Sequence, residues 1–303
     1  MKKVYLVLSA LIAGLLLAGC ASILIKPAIF DVKKVALVSV YMNRDFYDVK
    51  APRANEANQA LKTLGRAVTK ETKVLAALDN AFGKEYQQIV SYGVKQYTDQ
   101  LDGVGDWQWI PVTTVLNNKM YKTFYDNATN GKPSGSLVKI AQKLKSADWY
   151  VAPNMIHIPV DTVAGNPNQH TYYAGDAKDP KEDMRKELAQ LCKALGVDAV
   201  AMLEFDMAYK KPAINLTLLG ADPAIPNMSV SLVMVTKNGD LAVNTGPVVK
   251  GQGTRYEGDK VGMLNKEYVD LNAKAVNAYC QAIDNSAADM KKRILSAFSK
   301  LGK

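Results

Sequence analysis

The residues that decide the fold run from Asp179 to Tyr209, DPKEDMRKELAQLCKALGVDAVAMLEFDMAY. Asp179 stands before Pro180, with Glu182 three residues after the aspartate. An N-cap, a proline at the first helical position and an acidic third residue make a capping box. Met184, Leu188, Leu191 and Leu195 then recur at helical spacing and share one face. Gly196 supplies the residue that closes a helix, and Val197 to Tyr209 continues as an apolar strand. A capped helix feeding straight into a strand is half of a layered fold in which helices cover a sheet.

Downstream lies SVSLVMVTKNGDLAV, Ser229 to Val243. It predicts strands over 228–236 and 241–249 joined by Lys237-Asn238-Gly239-Asp240, because Asn-Gly between two apolar runs is a strong hairpin signal. Upstream, Asp31 to Met42 contains Val35-Ala36-Leu37-Val38-Ser39-Val40, whose length and β-branching fit a buried strand. Asn43 to Arg53 reads as a loop, and 54–100 as two helices, the second marked by Val74, Leu78, Phe82, Ile89 and Tyr97. Trp107 to Leu116 reads as a strand, 117–135 as irregular, and Ser136 as the start of a short helix. Asp148 to Val160 reads as a strand broken by Pro153, followed by a long polar loop over 161–179. Leu264, Tyr268, Leu271, Ala275, Tyr279, Met290, Ile294 and Phe298 mark a C-terminal helix. The sum is an α/β fold: one domain over 31–303, with a mixed sheet flanked by helices and a β-hairpin in its C-terminal half.

The first residues read as an address. Lys2 and Lys3 precede an apolar run from Val4 to Ala18, shorter than the roughly 20 residues of a spanning helix. The run ends in Leu17-Ala18-Gly19-Cys20, which resembles the lipobox of bacterial lipoproteins. The resemblance implies a signal peptide over 1–19, a Cys20 carrying fatty acyl chains such as palmitate, and a membrane anchor. Ala21 rather than aspartate after the cysteine implies the outer membrane, with the body facing the periplasm. Residues 20–30 are expected to be a tether of roughly 35 Å at most.

The order strand, helices, strand, helix, LGVDAVAMLEFD and then hairpin resembles the small α/β domain of the TolB N-terminal and curli-secretion lipoprotein group. VKKVALVSV, Val32 to Val40, likewise resembles that group's first strand. The resemblance covers about half of the mature chain and brings no catalytic residue. It implies a component of an envelope assembly or secretion system.

Composition bounds the chemistry. The chain has 303 residues, 48% hydrophobic and 22% charged, which excludes a disordered or fibrous class. Net charge is +9, falling to +7 once Lys2 and Lys3 are removed. The charges are scattered and the expected location is extracytoplasmic, so nucleic acid is not an expected partner. An envelope protein, peptidoglycan or another glycan bound directly by the basic, Tyr-rich surface, or a second copy of the chain remain as partners. No Walker motif, GxSxG elbow or metal-spaced His or Cys pair occurs, so no catalytic residue, metal or cofactor is expected.

Several residues still need an account. Glu204 and Asp206 sit two apart on a strand and point to one side, as an acid–base or cation site would require. The simpler reading puts both in solvent, with Leu203, Phe205, Met207 and Tyr209 turned to the core. His157, near Asn154 and Asp161, and His170 offer metal ligands without a metal-binding spacing. An enzyme or ligand site near Glu204, Asp206 and His170 is therefore the alternative to a binding role. Gly246, Gly251 and Gly253 lack the following helix that a phosphate cradle needs. Tyr172 and Tyr173 in the long loop are the candidate interaction residues, since tyrosine offers area with a polar tip. Cys192 and Cys280 are candidates for a disulfide, set against the alternative of two separate buried thiols.

Overall fold

A computed structural model of the protein describes residues 23–43, 70–130, 149–165, 180–210, 223–257 and 273–302. The strands are β1 (Lys34–Asn43), β2 (Gln108–Trp109), β3 (Trp149–Val151), β4 (Ala199–Lys210), β5 (Pro223–Thr236), β6 (Leu241–Asn244), β7 (Val249–Gln252) and β8 (Tyr256–Glu257). The helices are α1 (Lys70–Leu101), α2 (Val112–Asn117), α3 (Lys119–Asn130), α4 (Val160–Ala164), α5 (Pro180–Leu195) and α6 (Ala273–Lys300). The sheet runs β2-β1-β4-β5-β6, with β3 also on β1 and β7 and β8 also on β5. β1 is parallel to β2 and β4, and the remaining pairs are antiparallel, so the fold is mixed α/β as expected.

Strand alternation in β4 divides the core. Ala199, Ala201, Leu203, Phe205 and Met207 face one side, where α1 and α6 cover them. Val200 and Met202 face the other, packed with Met184, Leu188, Leu191 and Cys192 of α5. The helix α5, its Gly196 cap at φ +65° and the strand β4 stand where the sequence places them. The β5–β6 turn at Asn238-Gly239 is likewise present, with Gly239 N–H donating to the Thr236 carbonyl at 2.9 Å.

The second hairpin arm departs from one strand over 241–249. It is split into β6 and β7 by a 3-10 turn, Gly246–Val248. Thr245 bridges the interruption: its N–H donates to the Leu232 carbonyl, and its Oγ1 accepts from Leu232 N–H at 2.9 Å. Gly251 and Gly253 serve packing. A Cβ at Gly251 would collide with the Ala282 carbonyl of α6, and one at Gly253 with that of Ala278. The helix then covers the strand's edge. Asp289 accepts from Lys250 N–H, Asn285 Nδ2 donates to the Gln252 carbonyl, and Gln281 accepts from Thr254 N–H. These residues recur every four along α6, a stripe that satisfies backbone groups an edge strand would otherwise expose.

Two further expectations are corrected. Only Gln108–Trp109 of 107–116 is strand; Val112–Asn117 is helical, because Pro111 starts it and Val115 enters the core, which outweighs β-branching. Part of 117–135, expected to be irregular, is α3, started by Asn118 Oδ1 accepting from Met120 and Tyr121 N–H. Asn43, expected to open a loop over 43–53, is instead the last residue of β1. Residues 44–53, the Ser136 helix and Leu264, Tyr268 and Leu271 lie outside the described residues.

The expected tether is also shorter than 20–30. Ile25 N–H donates to the Ala242 carbonyl, Asn244 N–H donates to the Ile23 carbonyl, and Leu24 bridges Val243. Leu24, Ala28 and Ile29 are buried in the core, so the folded body includes residue 23 onward. An apolar Ile-Leu-Ile run finds a free edge on β6 and stays there.

Candidate functional site

Beyond Met202 the second face of the sheet turns polar. Its centre is Tyr41, which stands opposite Glu204 in the β1–β4 register. A bulge puts it there. Leu37 pairs with Ala201 and Ser39 with Met202, so one extra residue, Val38, is inserted into β1. Before it Val35 and Leu37 face α1 and α6; after it Val40 and Met42 do, while Tyr41 joins the opposite core. Re-aiming side chains in this way is what a bulge does.

The re-aimed hydroxyls of Ser39 and Tyr41, with that of Tyr121 from α3, hold the segment leading from β3 into α4. Ile156 N–H donates to Tyr121 Oη at 3.0 Å, Ile158 N–H to Ser39 Oγ at 3.1 Å, and Val160 N–H to Tyr41 Oη at 2.9 Å. Tyr121 in turn donates to the carbonyl of the bulged Val38 at 2.6 Å. Alternate amides of a buried extended segment thus pair with side-chain hydroxyls instead of a strand ladder, which meets the requirement that buried amides be paired. Arg185 of α5 fastens the far end, donating to the Val163 and Ala164 carbonyls of α4.

Tyr41 O–H donates to Glu204 Oε2 at 3.0 Å. Glu204 is 7% exposed, so its placement in solvent is corrected, whereas Asp206, two residues on, is exposed and accepts from Ser229 Oγ at 3.2 Å. Burial raises the Glu204 pKa to about 8, and the charge of Asp161 adds to the rise against the hydrogen bond from Tyr41. Tyr41 is itself raised well above the usual tyrosine value, first by burial and then by Glu204.

His157 lies against the same tyrosine, with ring centroids 4.2 Å apart, and Trp149 meets Tyr41 edge-on at 5.0 Å. The imidazole is 7% exposed, and neither ring nitrogen has a hydrogen-bond partner among the described residues. Burial lowers its pKa to about 3, so it is neutral at any ordinary pH. The arrangement therefore holds a protonated carboxyl, a phenol and a neutral imidazole in one water-poor place.

The structure brings Glu204 together with His157 and Asp161, which the sequence nominates apart from it, and adds Tyr41, Ser39 and Tyr121. Ser39, a lone hydroxyl in a continuous apolar strand, is the signal that was there to be read. No group of three His, Cys, Asp or Glu side chains among the described residues is arranged to hold a metal ion. Cys192 and Cys280 are free thiols packed on opposite faces of the sheet, so the candidate disulfide is not formed; the sheet stands between them. Burial pushes their thiols up to about 12 and about 11. Cys20, His170, Tyr172 and Tyr173 lie outside the described residues. No family model matches the chain, and no curated protein or solved structure matches it either.

Proposed function

We propose that the chain is a lipid-anchored envelope protein that acts by binding. An acylated Cys20 holds the α/β body at the outer membrane on its periplasmic side, as a non-catalytic part of an assembly or secretion system. One observation carries the reading: Leu17-Ala18-Gly19-Cys20 ends three residues before Ile23, where the described body begins. An acyl-modified cysteine so close to a folded domain makes the membrane surface the place of work. Two or three acyl chains, at about 0.8 kcal/mol per buried methylene, anchor effectively permanently.

Binding is favoured over chemistry because the hydroxyls of Ser39, Tyr41 and Tyr121 are engaged by backbone amides. The assembly role follows from the resemblance of strand, helix and hairpin order to the TolB N-terminal and curli-secretion group. Labelled fatty acid supplied to cells expressing the wild type and Cys20→Ser is the direct test. The wild type should be labelled and fractionate with membranes, and Cys20→Ser should do neither. In-cell crosslinking of the wild type and of a Tyr172→Ala, Tyr173→Ala double variant then tests the partner. Capture should fall in the variant while circular dichroism stays unchanged.

A second reading, a ligand-binding or enzymatic site at Glu204, is favoured by one observation. A carboxyl raised to about 8 lies beside the Tyr41 ring that His157 also contacts. If Glu204→Gln abolishes the cellular phenotype in a folded protein while the tyrosine pair has no effect, this reading replaces the first.

A further inference from the structure

We propose that the segment 23–31 is a second membrane contact, laying Lys26 and Phe30 on the phospholipid headgroups of the leaflet that holds the Cys20 lipid. The inference rests on the acylation of Cys20. Only Ala21 and Ser22 lie between Cys20 and Ile23, so the chain from one to the other reaches about 10 Å at most. Ile23 and Ile25 are bonded to β6, and Leu24, Ala28 and Ile29 are buried, so 23–31 cannot swing away from the body. The margin of the sheet beyond β6 is then the side held closest to the bilayer.

What that margin displays fits a headgroup layer. Phe30 is 37% exposed and, with Leu295, is one of two exposed large apolar side chains among the described residues. Lys26 Nζ lies 5.8 Å from the centre of the Phe30 ring. An aromatic ring paired with a flexible cation matches the boundary between acyl chains and phosphates, where the ring enters and the ammonium stays with the anions. Lys33 and Lys34 are exposed as well but stand at the start of β1 toward β2, the Lys33 carbonyl accepting from Gln108 N–H at 2.7 Å and Lys34 pairing with Gln108, so they add no charge to this margin. Lys237 is held by Asp198 at 2.8 Å, so the charge attraction is modest and the ring carries most of the contact.

Leu295 provides the contrast. It lies on α6 three residues before Phe298, whose ring packs on Trp107 next to β2, at the opposite margin of the sheet. The experiment uses acylated full-length protein with Phe30→Trp or Leu295→Trp. Each is reconstituted in vesicles of phosphatidylethanolamine and phosphatidylglycerol whose acyl chains carry bromine near the headgroup. The emission added over the wild type should be quenched by more than half for Phe30→Trp and by less than a tenth for Leu295→Trp. Added emission from Phe30→Trp that is unquenched, in protein carrying its acyl label, overturns the contact and leaves the anchor standing. Equal quenching at both positions overturns it as well. Protein that carries no acyl label removes the anchor and the contact together.

Discussion

The two faces of the sheet are built on opposite principles. Towards α1 and α6 the sheet is apolar along its length, from Val35 and Ala199 to Met42 and Met207, and it is closed by Tyr86, Tyr97, Tyr279 and Ile283. Towards α5 it is apolar only as far as Met202, after which Ser39, Tyr41, Glu204 and Ser231 take over under the 155–160 segment. One strand, β4, serves both. The first face is held by non-directional burial, which tolerates imprecision, and the second by hydrogen bonds, which do not. Substitutions on the two should therefore fail in different ways.

The largest effect is expected on the apolar face. Phe205 is fully buried against Tyr97, ring centroids 5.4 Å apart, and fills the space that Gly93 leaves open on α1. Phe205→Ala should cost about 3–5 kcal/mol, read as a lower midpoint in urea with the unfolding slope unchanged. A change within 1 kcal/mol would mean that α1 collapses onto β4, and the face is softer than its packing implies.

On the polar face the corresponding cut is Tyr41→Phe. It keeps the ring but leaves Val160 N–H and the Glu204 carboxyl without their hydroxyl. Leaving the buried Val160 amide unpaired costs roughly 1–3 kcal/mol and the lost bond to Glu204 about 1 kcal/mol more, so about 2–4 kcal/mol is expected. Unlike Phe205→Ala, it should loosen one segment first. Amide exchange should accelerate at 156–160 more than in β4, and uniform acceleration would show that the two faces unfold as one.

Much of the frame of helices and strands was legible and little of the polar face, for a physical reason. α5, β4 and the Asn-Gly turn follow from caps, periodicity and turn chemistry, all local properties. The polar face depends on Val38, an insertion that nothing in VALVSVYM announces. By parity Ser39 and Tyr41 belong with Val35 and Leu37, and the bulge carries them to the other side. Glu204 and Asp206 are alike in type and strand parity, and only the segment crossing above one of them separates buried from exposed. The edge pairing of Ile23 to Ile25 was hidden too, because an apolar tripeptide reads the same in a tether and in an edge strand.

The polar face also gives the protein a pH profile of its own. Glu204 has a folded pKa of about 8 against a usual 4.5, so its contribution is complete below pH 4.5 and lost as pH rises through 8. His157 is held at about 3 against a usual 6.5, so its contribution is complete above pH 6.5 and lost as pH falls through 3. Between 4.5 and 6.5 the unfolded chain carries the proton on His157 and the folded chain carries it on Glu204. Proton counts match, and the pair contributes no slope there. Outside that window stability should fall by about 1.4 kcal/mol per pH unit on each side. Urea midpoints from pH 3 to 9 should show Glu204→Gln flattening the alkaline limb and His157→Leu the acid limb. An alkaline limb that survives Glu204→Gln would assign the slope elsewhere.

The smallest effect should come from the residue most like Glu204. Asp206 lies on the same strand and the same face, but it is exposed and its described side-chain bond is to Ser229 Oγ at 3.2 Å. A solvated carboxylate gains little from a hydroxyl that water replaces, so Asp206→Ala should change stability by less than about 0.5 kcal/mol. Glu204→Ala removes the carboxyl that Tyr41 bonds and opens space beneath a closed segment, so several times that cost is expected. The pair is a controlled comparison: one residue type class, one parity, two positions, with only the cover from 155–160 differing. Chemical denaturation at pH 5.5, inside the flat window, removes titration from the comparison. Equal costs for the two variants would mean that the segment does not seal Glu204 in solution. Glu204 would then stand in water beside Asp206, as the sequence alone suggests.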